Sequence, residues 1–261
     1  MSGILTYVLH YEGEFNKNSL GAVSEAAKRA ADIGAEAHAV VVGENIPDDL
    51  AKSLGKYGAK KVYRANAPEG LAQPVVDVMA QLIEQNGYDY ALFGGGLLGF
   101  EIGAGLAARK KAGVTMEVTE VKVDNGELVA SRPILQDSMI SESRYTGDLG
   151  VIIGRLNAFD ANEVDGASAE VVDVDIDLSE WSTKARMVTR GEQRVLEAVV
   201  GDDLRHRVDD GLGEALGAAG AEDLRGAERP ERAAELVAEV VPAEDERVAL
   251  AADLAGEART L

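Results

Sequence analysis

Four apolar segments alternate with four amphipathic segments over the first 113 residues, and this alternation constrains the fold more than any other feature of the chain. Each amphipathic segment carries apolar residues at helical spacing and ends near a glycine. Strands that alternate with helices favour a parallel sheet covered on both faces, so the expected fold class is α/β with a doubly wound parallel sheet. The predicted strands are residues 3–11, 35–43, 59–65 and 88–96, and the predicted helices are 19–34, 46–58, 69–87 and 97–113.

The pattern changes after Gly113. Residues 114–134 alternate with period two around Asp-Asn-Gly at 124–126, which is a strong signal for a β-hairpin. Residues 138–146 and 149–159 have the composition of further strands. We therefore expect an antiparallel β extension that closes the first domain near residue 160.

The chain is expected to divide into a domain at 1–160, a linker at 161–190 and a smaller, mainly helical region at 191–261. All ten lysines lie at or before Lys184, whereas ten of the sixteen arginines follow it. The last part is rich in Ala, Glu and Arg at helical spacing, which predicts a separate helical unit.

Composition excludes several classes of function. Without cysteine there is no disulfide or thiolate metal site, and three separated histidines do not predict a metal centre or a catalytic triad. A net charge of −20 argues against a nucleic-acid partner. No stretch approaches the roughly 20 apolar residues of a membrane span, and residues 1–15 lack a signal-peptide pattern. We expect a cytoplasmic protein without direct membrane insertion.

The principal candidate site is the glycine cluster between the fourth strand and the fourth helix. Gly94, Gly96 and Gly99 satisfy the pattern G-x-G-x-x-G, and Gly95 lies within it. A dinucleotide fingerprint belongs after the first strand of its unit, so this position disfavours that interpretation. Two alternatives stay open: backbone N–H groups at the helix start bind an adenylate phosphate, or the glycines only permit a tight turn and close packing.

Two other polar segments have alternative interpretations. Arg132, next to Pro133, ends a strand and is either a surface residue or part of a subunit-facing or flavin-facing surface. Residues 172–177 alternate apolar residues with aspartate, which is typical of a half-exposed edge strand, with cation binding as the alternative.

Several segments, in order, resemble the N-terminal domain of the electron-transfer flavoprotein alpha subunit. They are ILTYVLHYEGEFNKNSL, LAKSLGKYGAKKVYRA, YDYALFGGGLLGFEIGAGLAARKKAGV, TEVKVDNGELVASRPI and VVDVDIDLSEWSTKARMVTR. The resemblance covers roughly residues 1 to 190. It implies the nucleotide-binding α/β fold of that family, which is similar to adenine-nucleotide hydrolases.

The chain departs from the family pattern in four places. Phe100 stands where an arginine usually follows the glycine turn, and Gly105 stands near a second expected arginine. Residues 134–143 replace a usual glycine-rich segment that contains a lysine. Beyond residue 187 the glycine-rich motifs of the family's FAD domain are absent from the sequence, so that the helical region replaces that domain or is a degenerate form of it.

The resemblance implies an alpha-like subunit that pairs with an electron-transfer flavoprotein beta-like subunit, as a heterodimer or in a larger complex. FAD would be held mostly or wholly by this partner, AMP is a possible second ligand, and a dehydrogenase or quinone oxidoreductase would exchange electrons with the complex. The alternatives are an adenine-nucleotide-binding module and a purely structural subunit without redox activity.

Overall fold

The computed structural model describes residues 3–185 and 187. The strands are β1 (Gly3–Tyr7), β2 (His10–Tyr11), β3 (Glu14–Phe15), β4 (Glu36–Val42), β5 (Lys61–Ala65), β6 (Tyr90–Phe93), β7 (Gly113–Val118), β8 (Glu120–Asp124), β9 (Glu127–Ile134), β10 (Met139–Ser143), β11 (Gly150–Gly154) and β12 (Glu170–Val174). The α-helices are α1 (Lys17–Asp32), α2 (Asp48–Ser53), α3 (Ala72–Asn86), α4 (Leu97–Lys110) and α5 (Glu180–Thr183), and a 3-10 helix covers Leu54–Tyr57. The helical region predicted at 191–261 lies outside the described residues.

Seven strands form one parallel sheet in the order β12-β5-β4-β1-β6-β11-β7. From β1 the chain builds outward through β4 and β5 on one side, and then returns to β6 on the other side. The strand order therefore reverses between β1 and β6. The predicted α/β class with a doubly wound parallel sheet is confirmed.

The sheet is covered on both faces, and its central strands β1, β6 and β11 are mostly apolar on both faces. Leu5, Phe93 and Ile153 face the core that packs on α3 and α4. Ile4 and Ile152, one position away, face a second core that contains alanines of α1. This two-sided burial explains why the central strands are continuous apolar runs and do not alternate with polar residues.

The region after Gly113 is less antiparallel than the sequence predicts. The hairpin around Asn125 and Gly126 is confirmed as β8 and β9, and β10 completes a three-stranded antiparallel sheet. However, β7 and β11 are strands of the large parallel sheet. All five residues of β11 are buried, because this strand lies between β6 and β7.

The predicted linker also contributes to the sheet. Residues 170–174 form β12, which pairs with β5 and is the outermost strand on that side. This confirms the edge strand predicted from the alternating aspartates of 172–177. A division of the chain by internal contacts separates residues 1–189 from residues 190–261.

The start of α1 differs from the expectation in detail. The helix begins at Lys17 and not at residue 19, and Asn16 is its N-cap, because the Asn16 side-chain oxygen accepts hydrogen bonds from the N–H groups of Asn18 and Ser19. The Ser19 hydroxyl instead accepts the N–H of Leu9, and this bond ties the helix to the loop after β1. Across the described part of the chain, no helix has the length and apolar character to cross a membrane.

Candidate functional site at the glycine turn

The glycine turn lies at the carboxyl end of β6, beside the point where the strand order reverses. Gly94, Gly95 and Gly96 connect β6 to α4, and Gly99 lies in the first turn of that helix. In open α/β sheets, this crevice is the usual place for a ligand. The topology therefore places the glycine cluster at the edge of the sheet where an adenylate phosphate would be expected to bind.

Three of the four glycines face the protein's own backbone at short range. A Cβ on Gly94 would lie 2.4 Å from the carbonyl oxygen of Asn18, and one on Gly95 would lie 2.4 Å from the backbone nitrogen of Leu156. A Cβ on Gly99 would lie 2.6 Å from the Gly94 carbonyl oxygen. These glycines are required by close packing, which is the second of the two interpretations of the cluster.

Gly96 is different. Its φ of +139° is a conformation that side chains rarely adopt, and a Cβ there would have no atom within 4 Å. It is the N-cap of α4 without a side-chain cap, and the next residue, Leu97, is 85% exposed. Only this glycine of the cluster faces open space.

The turn is held between two segments that the sequence did not single out. One is the start of α1, and the other is the stretch after β11, where Asn157 donates its N–H to the side-chain oxygen of Asn18 at 2.7 Å. Leu156, between these contacts, is 57% exposed. A local motif could not identify these residues because they lie about 60 to 80 positions from the turn in sequence.

Arg155, which directly precedes Leu156, is already paired. Its guanidinium donates to Glu117 at 3.1 Å and to both carboxylate oxygens of Asp137 at 3.1 and 3.3 Å. The hydrogen bond from Arg155 holds the pKa of Asp137 below its ordinary value. Arg155 is therefore neutralised by two carboxylates, which is unfavourable for binding an added phosphate.

The two departures from the family pattern that follow the glycine turn, Phe100 and Gly105, have packing roles. Phe100 is partly buried against the core beneath α3 and α4. A Cβ on Gly105 would approach a methyl group of Val76 at 3.1 Å, so a larger side chain would separate the two helices. Arg132 is half-buried and donates to the Met116 carbonyl oxygen at 3.4 Å.

The two described histidines lie in separate places. His10 Nε2–H donates to the Val42 carbonyl oxygen at 3.2 Å. His38 contacts the Tyr88 hydroxyl at 2.5 Å and the Glu36 carboxylate at 3.2 Å. Among residues 3–185 and 187, no group of three or more His, Cys, Asp or Glu side chains could hold a metal ion. His206 is outside the described residues.

This fold, with a glycine turn at its reversal point, is that of a doubly wound α/β domain. Residues 4–179 match the model of the electron transfer flavoprotein domain, so the chain belongs to that family. The resemblance seen in the sequence is thereby confirmed.

Characterised relatives are alpha subunits and related electron-transfer subunits. The chain is 29% identical to the electron transfer flavoprotein subunit alpha of Bacillus subtilis over 183 residues, which are 69% of this chain and 55% of the relative. It is 33% identical to the corresponding subunit of Mycobacterium leprae over 175 residues, 66% of this chain and 52% of the relative. A third relative is the LctC subunit of lactate dehydrogenase (NAD(+),ferredoxin) of Acetobacterium woodii, 30% identical over 54% of this chain and 34% of the relative. The chain spans about half the length of the alpha subunits it matches.

Proposed function

We propose that this chain is an electron-transfer flavoprotein alpha-like subunit that pairs with a beta-like subunit, and that the complex exchanges electrons with a dehydrogenase or a quinone oxidoreductase. Family membership over residues 4–179 is the observation that carries the proposal. The names of the relatives, which are subunits of electron-transfer proteins, support it.

The flavin in this proposal is FAD held mostly or wholly by the partner. The glycine turn does not fit the pyrophosphate of a flavin dinucleotide, because Gly94, Gly95 and Gly99 face the protein's own backbone. The arginine beside them, Arg155, is paired with two carboxylates. We derive no proton or electron step from side chains at this turn.

The exposed apolar end of a β-hairpin supports the proposal that this chain binds a protein partner. Strand β10 pairs only with β9 among the described strands, so its outer backbone edge is unpaired there. Leu135, Met139 and Ile140, at the end of this hairpin, are all exposed. Edge strands with exposed apolar residues are normally covered by another chain or protected by charge. We assign this hairpin end, defined by these three residues, to the contact with the beta-like subunit.

Co-production with a beta-like subunit tests both parts of the proposal. The wild-type complex should co-purify and show the visible absorption of a bound flavin. Ile140→Asp should reduce recovery of the partner at least about tenfold, because a buried unpaired carboxylate is costly at an interface. Val164→Asp is the matched control, since Val164 is 60% exposed and Ile140 is 59% exposed.

Three outcomes test the redox function, the pairing and the hairpin contact separately. A stable but colourless, flavin-free complex would refute the redox function. Failure of the wild-type chain to bind any beta-like subunit would refute the pairing, and equal recovery for Ile140→Asp and wild type would refute the hairpin as the contact.

The second candidate function is adenine-nucleotide binding at the glycine turn. It is favoured by the position of the turn at the strand-order reversal and by the open space at Gly96. Calorimetric titration of the chain with AMP tests it, with Gly96→Ala as the variant expected to lose binding. Absence of both flavin and nucleotide would leave the purely structural subunit.

A further inference from the structure

The segment that follows β12 is attached to the domain by side chains of α3 and not by strand pairing. We call residues 175–183 the strap. Ile176 and Leu178 are half-buried against the core beneath α3, whereas Asp175 and Asp177 are exposed. Within residues 3–185 the strap has no strand partner, in contrast to the adjoining β12, which pairs with β5 over five residues.

One attachment is made by Gln81 of α3. Its side-chain amide donates to the Asp177 carbonyl oxygen at 2.7 Å and accepts the Asp177 N–H at 3.3 Å. Both bonds are to backbone atoms, so Gln81 takes the place of a neighbouring strand at this one position.

The second attachment is made by Asp77, one helical turn before Gln81. Its carboxylate is only 2% exposed. One oxygen accepts the Ser179 N–H at 2.7 Å and the Ser182 hydroxyl at 2.5 Å, and the other accepts the guanidinium of Arg109 from α4. A single buried carboxylate thus joins the strap to two helices.

Apart from these polar contacts, little of the strap is buried. Ser182 is the only fully buried residue of the strap, and the apolar residues Ile176 and Leu178 are only half-buried. Segments with few buried apolar contacts open locally at a lower free energy than the core. Strand β12 is further secured by Arg64, which donates to both carboxylate oxygens of Asp173.

We propose that the strap is a releasable attachment that opens as a unit while the sheet stays folded, and that Asp77 controls this opening. The strap lies at the end of the first unit, shortly before residues 190–261 begin. Its release would free nine residues after β12, about 30 Å of extended chain at ~3.3 Å per residue. Asp77 would be a positioning residue, because it holds the strap on the domain and so sets how many residues after β12 are free.

Native-state hydrogen exchange of the full chain tests the proposal. The amides of Asp177 and Ser179 should exchange through a local opening, faster than amides of β1 and β6. Asp77→Asn places an amide N–H₂ among the donors of Ser179, Ser182 and Arg109, and should accelerate exchange of the strap about tenfold or more while the core amides stay protected. Asp175→Asn, at an exposed carboxylate of the same strap, is the control and should leave exchange unchanged.

Trp181, the only tryptophan of the chain, supplies an independent readout. Its fluorescence anisotropy should decay with the tumbling of the whole domain in the wild type and should gain a nanosecond component in Asp77→Asn. If Asp77→Asn does not fold, Ser182→Ala and Gln81→Ala each remove one attachment and leave the carboxylate and its arginine in place. The proposal is refuted if strap amides exchange only with global unfolding, or if these variants behave like Asp175→Asn.

Discussion

The backbone of Gly94 lies directly against the backbone of Asn18, so that a Cβ on Gly94 would be 2.4 Å from the Asn18 carbonyl oxygen and 2.5 Å from its carbon. Neither atom belongs to a flexible side chain that could move aside. This contact joins the end of β6 to the first turn of α1, across the point where the strand order reverses.

We expect Gly94→Ala to lower the free energy of unfolding by about 1–3 kcal/mol, the usual cost of forcing an extra carbon into a packed region. Urea unfolding followed by circular dichroism measures it. Gly147→Ala is the matched control, because a Cβ at Gly147 would have no atom within 4 Å and its φ is not in the left-handed region. Equal stability of the two variants would contradict the packing role of Gly94.

The stability of the domain should fall at acidic pH through Asp77. Burial raises the pKa of this carboxyl, but hydrogen bonds from Ser182, Arg109 and Ser179 outweigh burial and leave the pKa below its ordinary value. A depressed carboxyl pKa contributes stability above the unfolded pKa of about 3.9, and this contribution is lost as the pH falls through the folded pKa.

Asp77→Asn should therefore be less stable than wild type at pH 7, and the difference should shrink as the pH falls below about 4. Urea unfolding at a series of pH values measures this difference. A difference that stays constant down to the acid limit would show that the charge of Asp77 is not the cause.

His38 should lose protons at lower pH than a free histidine. Burial lowers its pKa from the ordinary 6.5, against the opposing influence of Glu36. The folded state therefore favours the neutral ring, and its contribution to stability is complete above the unfolded pKa and lost as the pH falls toward the folded pKa. An NMR titration of the imidazole should give a midpoint below 6.5, and a higher midpoint would refute the assignment.

The loop between β9 and β10 contains three consecutive non-glycine residues with positive φ: Leu135 at 51°, Gln136 at 55° and Asp137 at 62°. Left-handed conformations cost L-residues roughly 1–2 kcal/mol each. We expect Gln136→Gly to raise the free energy of unfolding by between zero and about 1 kcal/mol. Glycine relieves the cost of the left-handed conformation, but it loses more entropy on folding, which offsets part of the gain. Gln136→Val should destabilise the domain, because a β-branched side chain disfavours this backbone. Thermal unfolding measures both changes, and a more stable valine variant would contradict the expectation.

The elements that the sequence predicts best are those whose pattern is local. The strands that became β1, β4, β5 and β6, and the helices that follow them, could be recognised because apolar runs and helical spacing are set by burial within one segment. The turn at Asn125 and Gly126 has the same advantage. The start of α1 was predicted less well: the helix begins at Lys17 and not at residue 19, because Asn16 caps it and the Ser19 hydroxyl accepts the N–H of Leu9.

The candidate site could be predicted only in part. The glycine cluster was visible in sequence, whereas its contacts with Asn18 and Leu156 depend on segments that are distant in the chain. The pairing of Arg155 with Glu117 and Asp137 was equally hidden, since those residues lie 38 and 18 positions away.

The α/β class and the order of the first strands and helices could be predicted from the chain alone, because alternating burial leaves a periodic pattern in the sequence, and the family resemblance could be recognised from several segments in order. The tertiary structure was needed to place β11 inside the parallel sheet, to pair β12 with β5, and to pack the glycine turn against α1. These arrangements depend on contacts between residues far apart in sequence. Such contacts are selected by the packing of the whole domain, and no local pattern encodes them.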